Sequence, residues 1–230
     1  MKKRKKGIFI AIDGIDGSGK ATQTKLLIKR LKSGGYKVKE LDFPQYGKKS
    51  AALAEEYLNG EFGAAEEVGP YRASIFFACD RYAARKKILD WLKSGYIVIA
   101  NRYVAANMGH QGGKIKKIFE RQKYFRWLHN LEYKIFEIPQ PDFNLILHVD
   151  AAVAQKLALR KKRRSYLKRG KADIHELDLK HLKNAEKIYI EISRTIPKIK
   201  LIECMKKGSL MSREDIHEII WDNLKKRLIN

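Results

Sequence analysis

The order of apolar and polar segments along the chain predicts a protein in which strands and helices alternate. Five short runs are predicted strands, and the first is apolar enough to be buried on both faces of a sheet. These runs cover residues 7–13, 36–43, 96–100, 143–149 and 198–204. The segments between and after them predict helices over residues 20–32, 49–59, 71–93, 122–138, 151–162, 176–194 and 212–228. This order predicts an α/β fold with a five-stranded parallel sheet and helices on both faces.

Polar clusters follow three of the predicted strands at the point where each strand ends. They read GIDGSGK at 14–20, FPQYG at 43–47 and NRY at 101–103. Because ligands of open parallel sheets bind at the carboxyl ends of the strands, these three clusters mark the expected binding site.

Length and composition predict that residues 1–230 form a single domain. The chain has 230 residues, of which 44% are hydrophobic, so it can bury a sizeable core. Residues 160–175 are too charged to belong to that core, and we expect them to form a basic lid over a site. No apolar run approaches the roughly 20 residues that a membrane-spanning helix needs. We therefore expect a cytoplasmic protein with no membrane partner.

The strongly basic composition predicts polyanionic partners. The net charge is +23, from 49 Lys and Arg against 26 Asp and Glu. The cations are spread along the chain, and no zinc-finger or RNA-recognition signature accompanies them. We therefore expect charged nucleotides as ligands, and we do not expect nucleic acid to be a partner.

The glycine-rich cluster matches the first seven positions of the P-loop pattern, Gly14-x-x-x-x-Gly19-Lys20. Its glycines allow backbone N–H groups to point at phosphate oxygens, and the following helix adds a favourable dipole. Lys20 would reach the β- and γ-phosphates. Where the pattern has a magnesium-binding Ser or Thr, this chain has Ala21. The residues expected to bind ATP are Gly14, Ile15, Asp16, Gly17, Ser18, Gly19, Lys20, Ala21 and Thr22.

From about residue 7 to about residue 220, several motifs in order make the chain resemble the thymidylate kinases. These are GIDGSGKATQ (14–23), Phe43-Pro44, FACDRY (77–82), NRYVAANMGHQG (101–112) and Pro141-Asp142 before a strand, followed by an arginine-bearing lid. The resemblance implies a P-loop NTPase fold and ATP-dependent phosphorylation of dTMP to dTDP. It also implies ATP and Mg²⁺ as cofactors and a homodimer as the assembly.

The resemblance further implies a role for individual residues. Phe77 would stack on the thymine ring, and Arg81 and Asn107 would hydrogen-bond to the base. Arg102 would hold the monophosphate, for which the guanidinium fork is well shaped. The expected substrate-binding residues are Phe43, Pro44, Phe77, Arg81, Arg102, Asn107 and Gln111. The expected catalytic residues are Lys20, Arg102, Asp16, Arg160 and Arg164, and the expected metal ligands are Asp13 and Asp16.

Six positions depart from the family pattern and leave the function open. Tyr46 and Ile174 stand where relatives carry arginines. Ala21 and Asn101 replace a hydroxyl and a carboxylate that would help to hold magnesium. Ala106 and His110 replace a Ser and a Tyr that relatives carry near the sugar. Three hypotheses remain: an active dTMP kinase, a monophosphate kinase with a shifted base preference, and a catalytically weak nucleotide-binding relative.

Overall fold

The computed structural model describes residues 7–160 and 178–228, and it confirms the predicted five-stranded parallel sheet. The strands are β1 (Ile8–Asp13), β2 (Val38–Asp42), β3 (Ile97–Asn101), β4 (Phe143–His148) and β5 (Ile199–Glu203), and they lie in the order β2-β3-β1-β4-β5. A small antiparallel hairpin follows, formed by β6 (Met205–Lys206) and β7 (Ser209–Leu210). The central position of β1 places the loop after it in the middle of the carboxyl edge of the sheet.

Burial along β1 shows that both faces of the sheet are covered. The four consecutive residues from Phe9 to Ile12 have no exposed surface. Successive side chains of a strand point to opposite faces, so complete burial of all four requires helices on each side. This confirms the predicted layers.

The described residues form eight α-helices around the sheet. They are α1 (Lys20–Ser33), α2 (Ala52–Leu58), α3 (Ala65–Lys93), α4 (Val104–Gly112), α5 (Ile118–His129), α6 (Ala151–Leu159), α7 (Leu179–Thr195) and α8 (Arg213–Leu228). A 3₁₀ turn (Lys49–Ala51) precedes α2, and a π-helical segment (Asn130–Ile135) continues α5. None of these helices is both long and apolar enough to cross a bilayer.

The helix predicted over residues 71–93 is confirmed as the long part of α3, and a short helical segment precedes it. Helix α3 begins at Ala65, where the Glu67 carboxylate accepts a hydrogen bond from the backbone N–H of Ala64 at 2.8 Å. Gly69, with a non-helical φ of 73°, forms a kink that separates this short segment from the long helix after it. The aromatic helix predicted from residue 122 begins earlier, at Ile118.

Helix α4 was missed by the sequence analysis, which assigned a polar cluster at 101–103 and no helix over the rest of the motif at 101–112. The helix is short and buried almost all round, including Asn107 and Gln111. Its polar residues Asn107, His110 and Gln111 share one face of the helix, but the helix spans only nine residues, too few for the 3.6-residue periodicity to identify it.

Two predicted helix starts are confirmed by their caps. The Asp150 carboxylate accepts from the backbone N–H of Ala152 at 2.8 Å, at the start of α6. The Ser212 hydroxyl accepts from the Asp215 N–H at 3.0 Å, at the start of α8. The predicted lid over residues 160–175, apart from Arg160, lies outside the described residues, so the lid and the single domain remain predictions.

Candidate active site

The glycine-rich loop connects β1 to α1, as the P-loop pattern requires. Gly14, Gly17 and Gly19 have φ values of 140°, 85° and 87°, a region that side chains disfavour. A Cβ at Gly17 would lie 1.9 Å from the carbonyl oxygen of Ala154, so the loop packs directly on α6. Gly19 is the N-cap of α1 and supplies no side-chain cap, which leaves first-turn N–H groups suited to an anion.

The Lys20 side chain lies across this loop. Its Nζ donates to the carbonyl oxygens of Gly14 at 3.0 Å and Ile15 at 2.8 Å, and the residue is buried. Ala21 and Thr22 lie exposed in the first turn of α1. The ammonium is therefore already positioned at the place where the pattern predicts phosphates.

Two strand ends beside the loop carry buried oxygens to which no described residue donates a hydrogen bond. The Asp13 carboxyl is fully buried; its Oδ1 accepts from the Tyr103 N–H at 3.1 Å, while its Oδ2 has no hydrogen-bond partner among the described residues. Asn101 Oδ1 is likewise buried without a partner in that part of the chain. Burial raises the pKa of Asp13, and the Tyr103 hydrogen bond and the Arg102 charge offset this effect only partly. Buried oxygens of this kind suit a hydrated divalent cation.

Arg102 is held in a strained backbone conformation directly after β3. Its φ is 68°, in the left-handed region that non-glycine residues rarely adopt, and its N–H donates to the Ile12 carbonyl at 2.9 Å. The guanidinium Nη2 donates to Asp16 Oδ1 at 2.5 Å, and Nη1 donates to His110 Nε2 at 3.0 Å. A P-loop carboxylate and an α4 histidine therefore direct this guanidinium.

One cavity has all seven expected substrate-binding residues in its wall. They come from the end of β2, from α3 and from the segment that runs from β3 into α4: Phe43, Pro44, Phe77, Arg81, Arg102, Asn107 and Gln111. Asp16, Tyr46, Leu58, Ala106 and His110 complete the wall. Because Asp16 belongs to the P-loop, the cavity and the phosphate loop adjoin each other.

The polar groups of α4 are positioned by a buried network. Asn107 Nδ2 donates to the Ser74 carbonyl oxygen of α3 at 3.1 Å, and the Tyr124 hydroxyl donates to the Asn107 carbonyl oxygen at 3.1 Å. Gln111 Oε1 is buried and has no partner within residues 7–160 and 178–228. A ligand that enters this cavity therefore finds an amide already oriented by α3 and an amide oxygen in need of a donor.

Glu132, which the sequence analysis missed, forms a buried ion pair with Arg81. Both side chains are almost completely buried. Arg81 Nε donates to Oε2 at 2.9 Å and Nη2 donates to Oε1, a bidentate arrangement. Glu132 lies in the π-helical segment. An acidic residue within an aromatic-rich helix was the available signal, but no sequence pattern connects positions 81 and 132.

Asp80 anchors the segment after β2 to α3. Its Oδ2 accepts from the Gln45 backbone N–H at 2.7 Å, and its Oδ1 accepts from the Ser50 hydroxyl at 2.6 Å. This holds Phe43 and Pro44 against the cavity. Asp80 was noted only as part of the FACDRY motif, and its contacts give it a structural role.

The described residues do not test the catalytic roles expected of the two lid arginines. Arg160 is exposed at the C-terminal end of α6. Arg164 lies outside the described residues. Their expected catalytic roles remain predictions.

Sheet order, loop geometry and the adjoining cavity together define a P-loop nucleotide-binding protein. A family model described as "Thymidylate kinase" matches residues 12–215. A "Thymidylate kinase" of Mycobacterium tuberculosis is 32% identical over 189 residues, which cover 81% of this chain and 86% of that protein. A "Probable thymidylate kinase" of Pyrococcus horikoshii is 30% identical and covers 97% of this chain and 98% of its own length. The chain belongs to the thymidylate kinase family, which consists of phosphotransferases.

The structural comparison supports the same fold. The solved thymidylate kinase of Candida albicans aligns with a TM-score of 0.74 and 20% identity, over 96% of this chain and 92% of that one. The predicted fold is thereby confirmed, and the family model and the curated relatives confirm the family resemblance.

Proposed function

We propose that the protein transfers the γ-phosphoryl group of ATP to dTMP, giving ADP and dTDP. Family membership sets the reaction class. The observation that carries the proposal is the junction at Asp16, which belongs to the P-loop, lines the cavity and binds Arg102. A donor held in the loop and an acceptor held in the cavity would meet at this point.

On the donor side, the P-loop N–H groups would bind the ATP phosphates. Lys20 would exchange its hydrogen bonds to the Gly14 and Ile15 carbonyls for bonds to phosphate oxygens. These carbonyls belong to the same loop that would bind the phosphates, so only the Lys20 side chain needs to move. This places positive charge where the transferring group becomes more negative.

On the acceptor side, Phe77 and Arg81 would contact the thymine base and Asn107 its edge. Arg102 would bind the monophosphate with the guanidinium that Asp16 and His110 now direct. An oxygen of the monophosphate forms the new bond to the γ-phosphorus, while the bond to the bridging oxygen breaks and its electrons leave with ADP. The attacking oxygen is already ionised, so alignment and charge neutralisation do the work and no strong general base is required.

The donor set also fits Mg²⁺. Asp13 Oδ2 and Asn101 Oδ1 are buried oxygens without partners among the described residues, and Mg²⁺ typically keeps waters while using one or two protein oxygens and substrate phosphates. We expect Asp13 and Asn101 to hold the ion, directly or through water, beside Asp16. When bound, the ion neutralises charge on the β- and γ-phosphates. Alanine at position 21 then removes one ligand without abolishing the site.

The test measures ADP formation from ATP with dTMP, with and without Mg²⁺, alongside dUMP, dCMP and dGMP. We expect metal-dependent turnover that prefers dTMP. Lys20→Met should abolish turnover, whereas Lys25→Met, an exposed lysine in the same helix, should not. Saturable binding of ATP and dTMP without turnover would refute the proposal and support the binding-only hypothesis, and preference for another base would support the shifted-base hypothesis.

We also propose a homodimer formed through α3. Exposed Tyr71, Ile75, Tyr82 and Leu89 recur at helical spacing along that helix. Light scattering after size exclusion should give twice the mass of one chain, and Ile75→Glu should shift the protein toward the monomer. A wild-type monomer at micromolar concentration would contradict this assembly.

A further inference from the structure

Two buried histidines from different helices meet beside Arg102. His110 Nδ1 of α4 lies 3.1 Å from His181 Nε2 of α7. The ring planes are within 17° of parallel, yet the ring centroids are 5.3 Å apart. With so short a nitrogen–nitrogen distance, this is an edge-to-edge hydrogen bond between nearly coplanar rings.

The donor at Arg102 determines where the protons of both rings lie. A guanidinium has donors and no acceptor, so His110 Nε2, 3.0 Å from Arg102 Nη1, has to accept. The proton of His110 is therefore on Nδ1, from which it donates to His181 Nε2. His181 Nε2 accepts, which places its own proton on Nδ1. Each ring is neutral, and one direction of donation runs from Arg102 through His110 to His181.

The surroundings favour this neutral state. Burial lowers the pKa of His110 well below 6.5, and the Arg102 charge lowers it further. Burial lowers the pKa of His181 to about 4, with a further contribution from Lys114. Carboxylates oppose these effects without reversing them: Asp16 for both rings, and Asp178 and Glu66 for His181.

Glycine in α4 allows the two helices to approach closely enough for this contact. A Cβ at Gly109 would lie 2.5 Å from Cζ of Tyr189 in α7, and a Cβ at Gly113 would lie 3.1 Å from the Ala185 backbone nitrogen. Tyr189 also packs edge-on against His110, with centroids 5.9 Å apart. The position of His181 relative to His110 is therefore set by tight backbone packing.

We propose that His181 is a positioning residue that directs the Arg102 guanidinium, acting through His110. It is not in the cavity wall, whereas His110 and Arg102 are. The inference rests on the proposed function, in which Arg102 binds the monophosphate. Without an acceptor at position 181, the buried His110 Nδ1–H loses its partner. Moving that proton to Nε2 would point it at the Arg102 N–H, and Arg102 would lose the orienting contact that His110 provides.

Kinetics of matched variants test this role. His181→Phe keeps a ring but removes the acceptor, and His181→Gln keeps an acceptor at similar reach. His181→Phe should weaken the hydrogen bond between the Arg102 guanidinium and His110. Because hydrogen bonds to charged groups are strong, this variant should raise the KM for dTMP about tenfold, and His181→Gln should raise it no more than about twofold. The KM for ATP should not change. The control His129→Phe, an exposed histidine of α5, should match wild type in both constants.

Nitrogen-15 NMR of the wild-type imidazoles gives a readout that does not depend on activity. Both rings should be neutral at pH 7 with the proton on Nδ1. An Nε2–H tautomer at His110, or a charged ring, would overturn the proposal. So would a His181→Phe variant with the wild-type KM for dTMP.

If wild type fails to phosphorylate dTMP, the proposed function fails and the positioning role is decided by calorimetry. The positioning role is upheld if His181→Phe binds dTMP more weakly than wild type while His181→Gln does not. It is overturned if the two variants bind dTMP equally well.

Discussion

Removing the charge of Glu132 should separate the two roles of the Arg81–Glu132 pair, stability and substrate binding. In Glu132→Gln, one oxygen still accepts from Arg81, but the new NH₂ group faces a guanidinium that only donates. The Arg81 charge is then buried without a counterion, since both side chains are almost completely buried. Breaking a buried pair from one side costs about 3–5 kcal/mol.

This cost is large enough to measure by thermal unfolding. For a chain of this size, each kcal/mol shifts the midpoint by about 2–4 °C, so the expected loss is about 10 °C. Glu137→Gln is the matched control, because it removes the same charge from an exposed pair with Arg85. That pair should contribute about 1 kcal/mol or less.

A double variant distinguishes stability from binding. Arg81→Met combined with Glu132→Leu removes both buried charges, and apolar replacement of a whole buried pair is often neutral for stability. The midpoint should therefore recover while dTMP binding, measured by calorimetry, stays weak. The reasoning is refuted if Glu132→Gln lowers the midpoint no more than Glu137→Gln does.

Three further substitutions test the site and its support. Burial raises the Asp13 pKa, so its ionised form costs stability at neutral pH; Asp13→Asn should therefore raise the unfolding midpoint while lowering turnover. Burial lowers the His148 pKa, but two glutamate partners outweigh this and raise it. The ion pairs of protonated His148 with these glutamates therefore stabilise the folded state fully below the unfolded pKa of about 6.5. This stabilisation is lost as pH rises through the higher pKa of the folded state. In urea, His148→Gln should therefore destabilise more at pH 6 than at pH 9. Gly109→Ala should cost about 1–3 kcal/mol in the same assay, because its Cβ meets Tyr189.

Each of these has an outcome that contradicts it. A lower midpoint for Asp13→Asn would mean that a cation or water already stabilises the carboxylate. A pH-independent effect of His148→Gln would mean that its charge contributes nothing. An unchanged midpoint for Gly109→Ala would show that α7 can move away without cost.

Local patterns in the sequence determined the P-loop and the strands that carry it. A glycine at positive φ, a buried strand before it and a helix after it are requirements that neighbouring residues meet by themselves. The helix caps at Asp150 and Ser212 are equally local, which is why they were predicted and confirmed. The family motifs also named residues that the structure places around one cavity, although their roles remain proposals.

Contacts between distant residues were decided only by the tertiary structure. Arg81 meets Glu132 and His110 meets His181 across 51 and 71 positions of sequence, and no periodic pattern encodes such pairs. Helix α4 escaped prediction for a different reason: it spans only nine residues, and its polar face, which carries Asn107, His110 and Gln111, is buried. A P-loop is specified by its own backbone, whereas the direction of Arg102 depends on how closely α4 and α7 pack.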